Sequence, residues 1–97
     1  MPDGGSWTLE LFLERLDLWE DQENPPPDLL IIVASWIQSR MDDPFENAER
    51  VDGFEELWFA VVPNSHDGGR VVTCTYWIYP AQRIVQCSYF GTLSLPI

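Results

Sequence analysis

The sequence predicts one α+β domain in which an N-terminal helical half packs on a C-terminal antiparallel sheet of three to four strands. Apolar residues recur at helical spacing in the first part of the chain, and a period of two begins near residue 57. With 97 residues and 45% hydrophobic content, the chain can build one core. We expect a single domain over 1–97, divided into a flexible N-terminus (1–5), a helical half (6–42), an acidic loop (43–56) and a β-meander (57–97).

The first predicted helix runs from about Trp7 to Glu20. Ser6 is a suitable N-cap residue, and the apolar residues that follow it fall on one helical stripe. That stripe consists of Leu9, Phe12, Leu13, Leu16 and Trp19.

A second helix is predicted after the run of prolines at 25–27. Proline cannot continue the first helix, but it is tolerated at the first position of a new one. Residues from Leu29 to Met41 are apolar nearly all round, so this helix is expected to be central and the most buried. Asp43-Pro44 ends it, and 44–56 reads as a loop with a short helical turn.

Three strands are predicted over 57–62, 71–79 and 84–90, separated by turn residues at 63–69 and 80–82. In the second strand, alternation assigns Val72, Cys74, Tyr76 and Ile78 to the core face, and Thr73, Thr75 and Trp77 to the outer face. If the turn places Tyr79 opposite Gln82, then Cys74 faces Cys87. The two thiols then either form a disulfide or stay reduced and buried.

The titratable residues give no pattern for a metal or cofactor site. The chain has no CxxC pair, and its single histidine, His66, lies in a polar turn where a solvated side chain is expected. The acidic residues Asp42, Asp43, Glu46 and Glu49 lack the spacing of a calcium loop and read as a solvated face. We therefore predict no metal and no cofactor.

The net charge of −11 is unevenly distributed. Residues 1–69 hold all 16 acidic residues and three of the five arginines, and there is no lysine. Such a field repels nucleic acid, so direct nucleic-acid binding is not expected. The sequence shows neither a secretory signal nor an apolar run long enough for a membrane span, so we predict a cytoplasmic protein without membrane contact.

Short apolar and turn motifs extend over nearly the whole chain. They are Phe12-Leu13-Glu14-Arg15-Leu16, Leu57-Trp58, Asp67-Gly68-Gly69, Tyr76, Arg83-Ile84-Val85 and Phe90. Their order resembles the RelE/ParE superfamily of bacterial toxins, in particular its phage-associated HigB-like branch. The resemblance implies a RelE-like fold. It also implies ribosome-dependent mRNA cleavage, in which basic side chains and a tyrosine act on the scissile phosphate.

The sequence departs from this pattern where the chemistry needs cations. Val61, Thr73 and Ser88 stand at positions where the resemblance implies basic or histidine-like residues, and Thr92 and Leu93 stand at those of the tail lysines. Tyr76 alone is retained. Arg70 and Arg83 are neighbouring cations that complete a weak set of catalytic candidates with Tyr76. We therefore expect a degenerate member without nuclease activity.

The leading functional hypothesis is protein–protein binding. The candidate binding residues are Trp77, Tyr79, Tyr89 and Trp58. The acidic helical face is a second possible contact surface. A protein partner is expected, either an antitoxin or a host protein, and homodimerisation is left open. Two alternatives remain: an active mRNA endonuclease toxin, or an acidic nucleic-acid mimic, antitoxin or immunity-type inhibitor.

Overall fold

Two helices lie on one face of a five-stranded mixed sheet in the computed structural model, which describes residues 6–94. In chain order the elements are β1 (Thr8–Glu10), α1 (Phe12–Glu23), α2 (Pro27–Ser39), β2 (Ala48–Arg50), β3 (Leu57–Val61), β4 (Arg70–Tyr79) and β5 (Ile84–Ser94). The strand order is β1-β5-β4-β3-β2, with β1 parallel to β5 and the other neighbours antiparallel. The predicted α+β class is confirmed, although the sheet has more strands than the three to four expected. The prediction of a flexible N-terminus over 1–5 lies outside the described residues.

The predicted start of the first helix was wrong. Residues 8–10 form β1, which pairs with residues 84–86 of β5, and the helix begins only at Phe12. Leu11 turns the chain between the two elements with φ 66° and ψ 3°, a left-handed conformation that is unusual for leucine. Because the backbone partner of β1 is 76 residues away, local helical periodicity could not reveal it.

The second helix starts as predicted but is not buried all round. Its core side consists of Leu29, Val33, Trp36 and Ile37, whereas Ile31 is 66% exposed. One side of the helix remains exposed because the sheet covers only the other side. The apolar composition of the helix therefore predicted more burial than the structure shows. Within residues 6–94, no helix has the length and apolar character needed to cross a membrane.

The segment predicted as an acidic loop contains the edge strand β2. Its three residues pair antiparallel with β3, and Ala48 lies opposite Ala60 and packs against the core. A strand of three residues carries too little alternation to be detected from sequence. The strand therefore exists because β3 offers it a backbone partner.

The core lies between the helices and one face of β4 and β5. Val72, Cys74, Tyr76 and Ile78 are each at most 1% exposed, which confirms their assignment to the core face. Phe90 on β5 is the centre of an aromatic cluster, with ring centroids 6.3 Å from Phe12 and 6.4 Å from both Trp19 and Trp36. The prediction that Thr73 and Thr75 face outward needs one correction: they are only 7% and 8% exposed, because β3 and β5 flank them on both sides.

The predicted register between β4 and β5 was wrong, yet the two cysteines are neighbours. Tyr79 pairs with Ile84 rather than Gln82, and a bulge between Thr75 and Tyr76 places Cys74 opposite Phe90. The sulfur atoms of Cys74 and Cys87 are nevertheless 3.7 Å apart, and both residues are free thiols. Burial and the neighbouring Cys87 raise the pKa of Cys74 well above its usual value, so the neutral thiol is the favoured form.

Replacing Phe90 by alanine should cost about 3–5 kcal/mol of unfolding free energy, since it removes the ring that three other aromatic side chains contact. Leu93→Ala, at a position on the same strand that is 50% exposed, should change it by less than about 0.5 kcal/mol. Urea denaturation of both variants measures the difference. Equal losses would mean that Phe90 is not the centre of the core.

Candidate functional site

Tyr76, the only residue of the expected nuclease pattern that the sequence retains, lies inside the protein. Its side chain is completely buried, and its hydroxyl donates a hydrogen bond of 2.8 Å to the carbonyl oxygen of Pro44. Burial raises the pKa of Tyr76 above its ordinary value, while the adjacent Arg40 guanidinium opposes part of this shift. Tyr76 therefore acts as a neutral structural donor in this conformation and contacts no solvent.

Arg40, a further residue of this site that no spacing pattern in the sequence indicated, is 2% exposed at the end of α2. Its Nη1 donates to the carbonyl oxygen of Glu46 at 2.9 Å and to the Tyr76 hydroxyl at 3.3 Å. The guanidinium also lies 4.6 Å from the centre of the Trp36 ring. The one sequence feature that pointed to Arg40 is its position at the end of an apolar helix, directly before an acidic loop. The spacing of neighbouring residues does not reveal that its side chain is buried.

The structure does not bring the three catalytic candidates together. Arg70 opens β4, half-exposed, and its Nη1 lies 3.3 Å from Glu23 of α1. Arg83 lies in the turn after β4, with its guanidinium carbon 4.9 Å from the centre of the Trp7 ring. The two arginines thus stand at opposite ends of a ten-residue strand, which spans roughly 30 Å. This separation excludes a common contact with one phosphate in this conformation.

The sheet face turned away from the helices, called the outer face below, is formed by aligned rows of side chains across β3, β4 and β5. The register gives the rows Val61–Thr73–Gly91, Phe59–Thr75–Tyr89 and Leu57–Trp77–Gln86. Two of the positions where the resemblance implies a basic residue, Val61 and Thr73, are therefore direct neighbours on this face. Tyr76 lies on the opposite face, so the residues of the implied site are divided between the two sides of the sheet.

The outer face is almost uncharged in a strongly acidic protein. Among the described residues, the charged members of these rows are Glu49, beside Phe59, and Glu10, beside Gln86, and both lie on edge strands. None of the rows contains an arginine. Cleavage of a phosphodiester needs groups that stabilise developing negative charge, and this face provides hydroxyl and apolar side chains instead.

Several exposed apolar side chains lie on the outer face or beside it. Val61, Leu93 and Tyr89 are 40%, 50% and 54% exposed, and Phe54 stacks edge-to-face on Trp77 at 6.0 Å. The ring of Tyr89 also covers Gly91, where it would lie 3.4 Å from an added Cβ. Aromatic and aliphatic groups exposed together are typical of protein contact surfaces.

The four predicted binding residues divide between the two faces. Trp77 and Tyr89 lie on the outer face, and Tyr79 ends β4 on the same face, half-buried beside Ile84. Trp58 lies on the other face, half-buried, where it is paired with Tyr76 and stacks on Phe45 at 5.1 Å. Strand alternation places Trp58 on the side of the helices once β3 and β4 are paired in this register.

No family model matches the chain, and no curated protein matches it. Among solved structures, the chain matches the toxin RelE of E. coli, recorded as a mutant in the free state, with a TM-score of 0.61. The alignment covers 89% of this chain and 82% of RelE at 11% sequence identity. The protein therefore has a RelE-like fold, as the resemblance implied. At this identity the match establishes the fold and not the activity.

We expect the stability of the wild type to fall more steeply above about pH 10 than that of Tyr76→Phe. The raised pKa of Tyr76 means that folding favours its protonated form, so this stabilisation is complete below about pH 10 and is lost as the pH rises further. Urea denaturation across this range provides the comparison. Both proteins are compared in a Cys74→Ala background, because Cys74 is electrostatically coupled to Tyr76, and parallel curves would contradict the assignment.

Proposed function

We propose that this chain is a RelE-like-fold protein that acts by binding another protein through its outer face, without cleaving RNA. The single observation that carries the proposal is the chemistry of that face. It aligns threonine, aromatic and aliphatic side chains in rows that contain no cation among the residues described. A phosphate backbone is bound through clustered lysine and arginine, whereas exposed aromatic and apolar groups favour contacts between proteins.

The burial of Tyr76 supports the same proposal from the opposite side of the sheet. Proton transfer needs a side chain within hydrogen-bonding reach of the substrate, and the Tyr76 hydroxyl is already bonded to Pro44 and Arg40. A substrate could reach it only if the segment around Pro44 left the core. We extend the proposal to a degenerate, HigB-like member of the RelE/ParE toxins that works in the cytoplasm, with an antitoxin or a host protein as its partner.

An active mRNA endonuclease toxin is the second candidate, because the matched fold belongs to a protein named as a toxin. The fold supports this candidate as well as it supports the first. A third candidate, the acidic mimic of nucleic acid, rests on the excess negative charge of residues 1–69. Each candidate predicts a different response to ribosomes, surface substitution and salt.

Purified protein added to an in vitro translation reaction should leave the messenger RNA intact. The reason is the missing cationic group on the outer face. E. coli RelE at the same concentration is the positive control, for which cleavage is expected. Primer extension on the messenger RNA detects the cleavage sites. Cleavage that is abolished by Tyr76→Phe or Arg70→Ala would overturn the proposal and establish the toxin alternative.

Removing the exposed apolar groups of the outer face should weaken partner capture. In the Tyr89→Ala, Leu93→Ala double variant, we expect affinity for the protein that co-purifies from the native host to fall at least about tenfold. The matched control is Ile31→Ala with Met41→Ala, two exposed apolar residues on or just beyond the second helix, which should bind normally. Calorimetry with the co-purified partner measures both.

Equal affinity of the two double variants would contradict the choice of surface. Binding that disappears at high salt in the wild type, without dependence on Tyr89 or Leu93, would favour the acidic mimic instead.

A further inference from the structure

The strand β5 is longer than the strand that covers its outer edge. It spans eleven residues, Ile84–Ser94, but β1 pairs only with residues 84–86. In the part of the chain that the structure describes, no strand pairs with this edge beyond Gln86. Residues 88–94, called the open edge below, therefore present alternate backbone N–H and C=O groups away from β4.

The open edge lacks the charges and prolines that usually protect a free strand, although a bulge interrupts it at Ser88. Its sequence, Ser-Tyr-Phe-Gly-Thr-Leu-Ser, contains neither a charge nor a proline. Natural edge strands are commonly protected by charged side chains, prolines or short length, since unpaired strands template pairing with another chain. In a protein with a net charge of −11, an uncharged run of this length on an edge indicates a surface kept for pairing.

The geometry of the open edge suits one additional strand. The bulge leaves Ser88 as the extra residue, because Thr75 pairs with Tyr89 and Tyr76 pairs with Cys87. Beyond it the pairing with β4 is regular up to Ser94, opposite Arg70. Six regular residues span roughly 20 Å, which is the usual length of a strand in a folded protein.

The acidic side chains around the open edge favour a positively charged partner. The helix α1 packs on β5 through Phe12 and Trp19, and its twelve residues carry five acidic side chains and one arginine. Glu10 closes the strand that covers the start of β5. A second copy of this chain would bring the same excess of negative charge to the edge, whereas a basic segment would be attracted to it.

We infer that an extended segment of a partner protein joins the sheet beside β5 as a sixth strand, with apolar residues at alternate positions and arginine or lysine at its ends. Backbone hydrogen bonds along the open edge hold the segment. Its apolar side chains extend the outer face next to Tyr89 and Leu93. This inference rests on the proposed function, because Tyr89 and Leu93 belong to the same strand and to the proposed binding face.

A random dodecapeptide library displayed on phage, panned against the whole chain, tests the inference. Enriched peptides should alternate apolar and polar residues and carry net positive charge. The best peptide is then synthesised in two forms, N-methylated at either of the two alternating sets of amides. In a paired strand only one set faces β5, so one form should bind at least about tenfold more weakly and the other should bind normally.

The matched pair of peptides separates backbone pairing from all side-chain effects. Equal binding of both forms, equal loss in both, failure to enrich any peptide, or enrichment of acidic or helical sequences would each overturn the inference. A concentration-dependent dimer of the protein alone, with the amides of 88–94 protected from exchange only in that dimer, would overturn it in favour of a second copy.

Failure here can be distinguished from failure of the proposed function. If the Tyr89→Ala, Leu93→Ala variant loses its native partner while the two methylated peptides behave alike, the binding face stands and strand addition fails. If the native partner binds that variant normally, the binding face itself is wrong.

Discussion

The hydrogen bonds of Tyr76 anchor the core face of the central strand to the loop after α2. Its hydroxyl bonds to Pro44 and accepts from Arg40, so the strand β4 is fixed with that face against the helices. Because side chains alternate along a strand, Thr73, Thr75 and Trp77 must then face the other way. A buried guanidinium is costly unless its donors are satisfied. Nη1 of Arg40 donates to the carbonyl oxygens of Pro44 and Glu46, and Nε and Nη2 donate to the Ser39 hydroxyl. The outer face thus depends on an interaction in the core.

Sequence periodicity predicted the features that depend on neighbouring residues. The core face of β4, the start of α2 at the prolines and the α+β class all follow from local spacing and turn chemistry. The strands β1 and β2 did not, since each has three residues and exists only because a distant strand offers backbone partners. The burial of Arg40 and the register between β4 and β5 likewise depend on tertiary contacts and on a bulge. The sequence therefore named candidate residues but could not give their arrangement.

The resemblance to RelE-like toxins predicted the fold. It did not predict on which face of the sheet each of the implied site residues lies. Val61 and Thr73, which stand where cations are implied, are neighbours on the outer face. Tyr76, which appeared to be the retained catalytic group, belongs to the core. A residue that matches a motif can thus serve in packing rather than in chemistry. Strand register distinguishes the two cases, because it decides which residues share a face.

The parallel pairing of β1 with β5 has a consequence for how the chain is made. The partner of Thr8 is Ile84, 76 residues later, and the first helix packs on β5, so these elements meet their partners only after β5 has been synthesised. Contacts between such distant residues slow folding, because a large loop must close before they form. Until β5 has been synthesised, the residues of β1 and α1 emerge from the ribosome without their core partners on that strand.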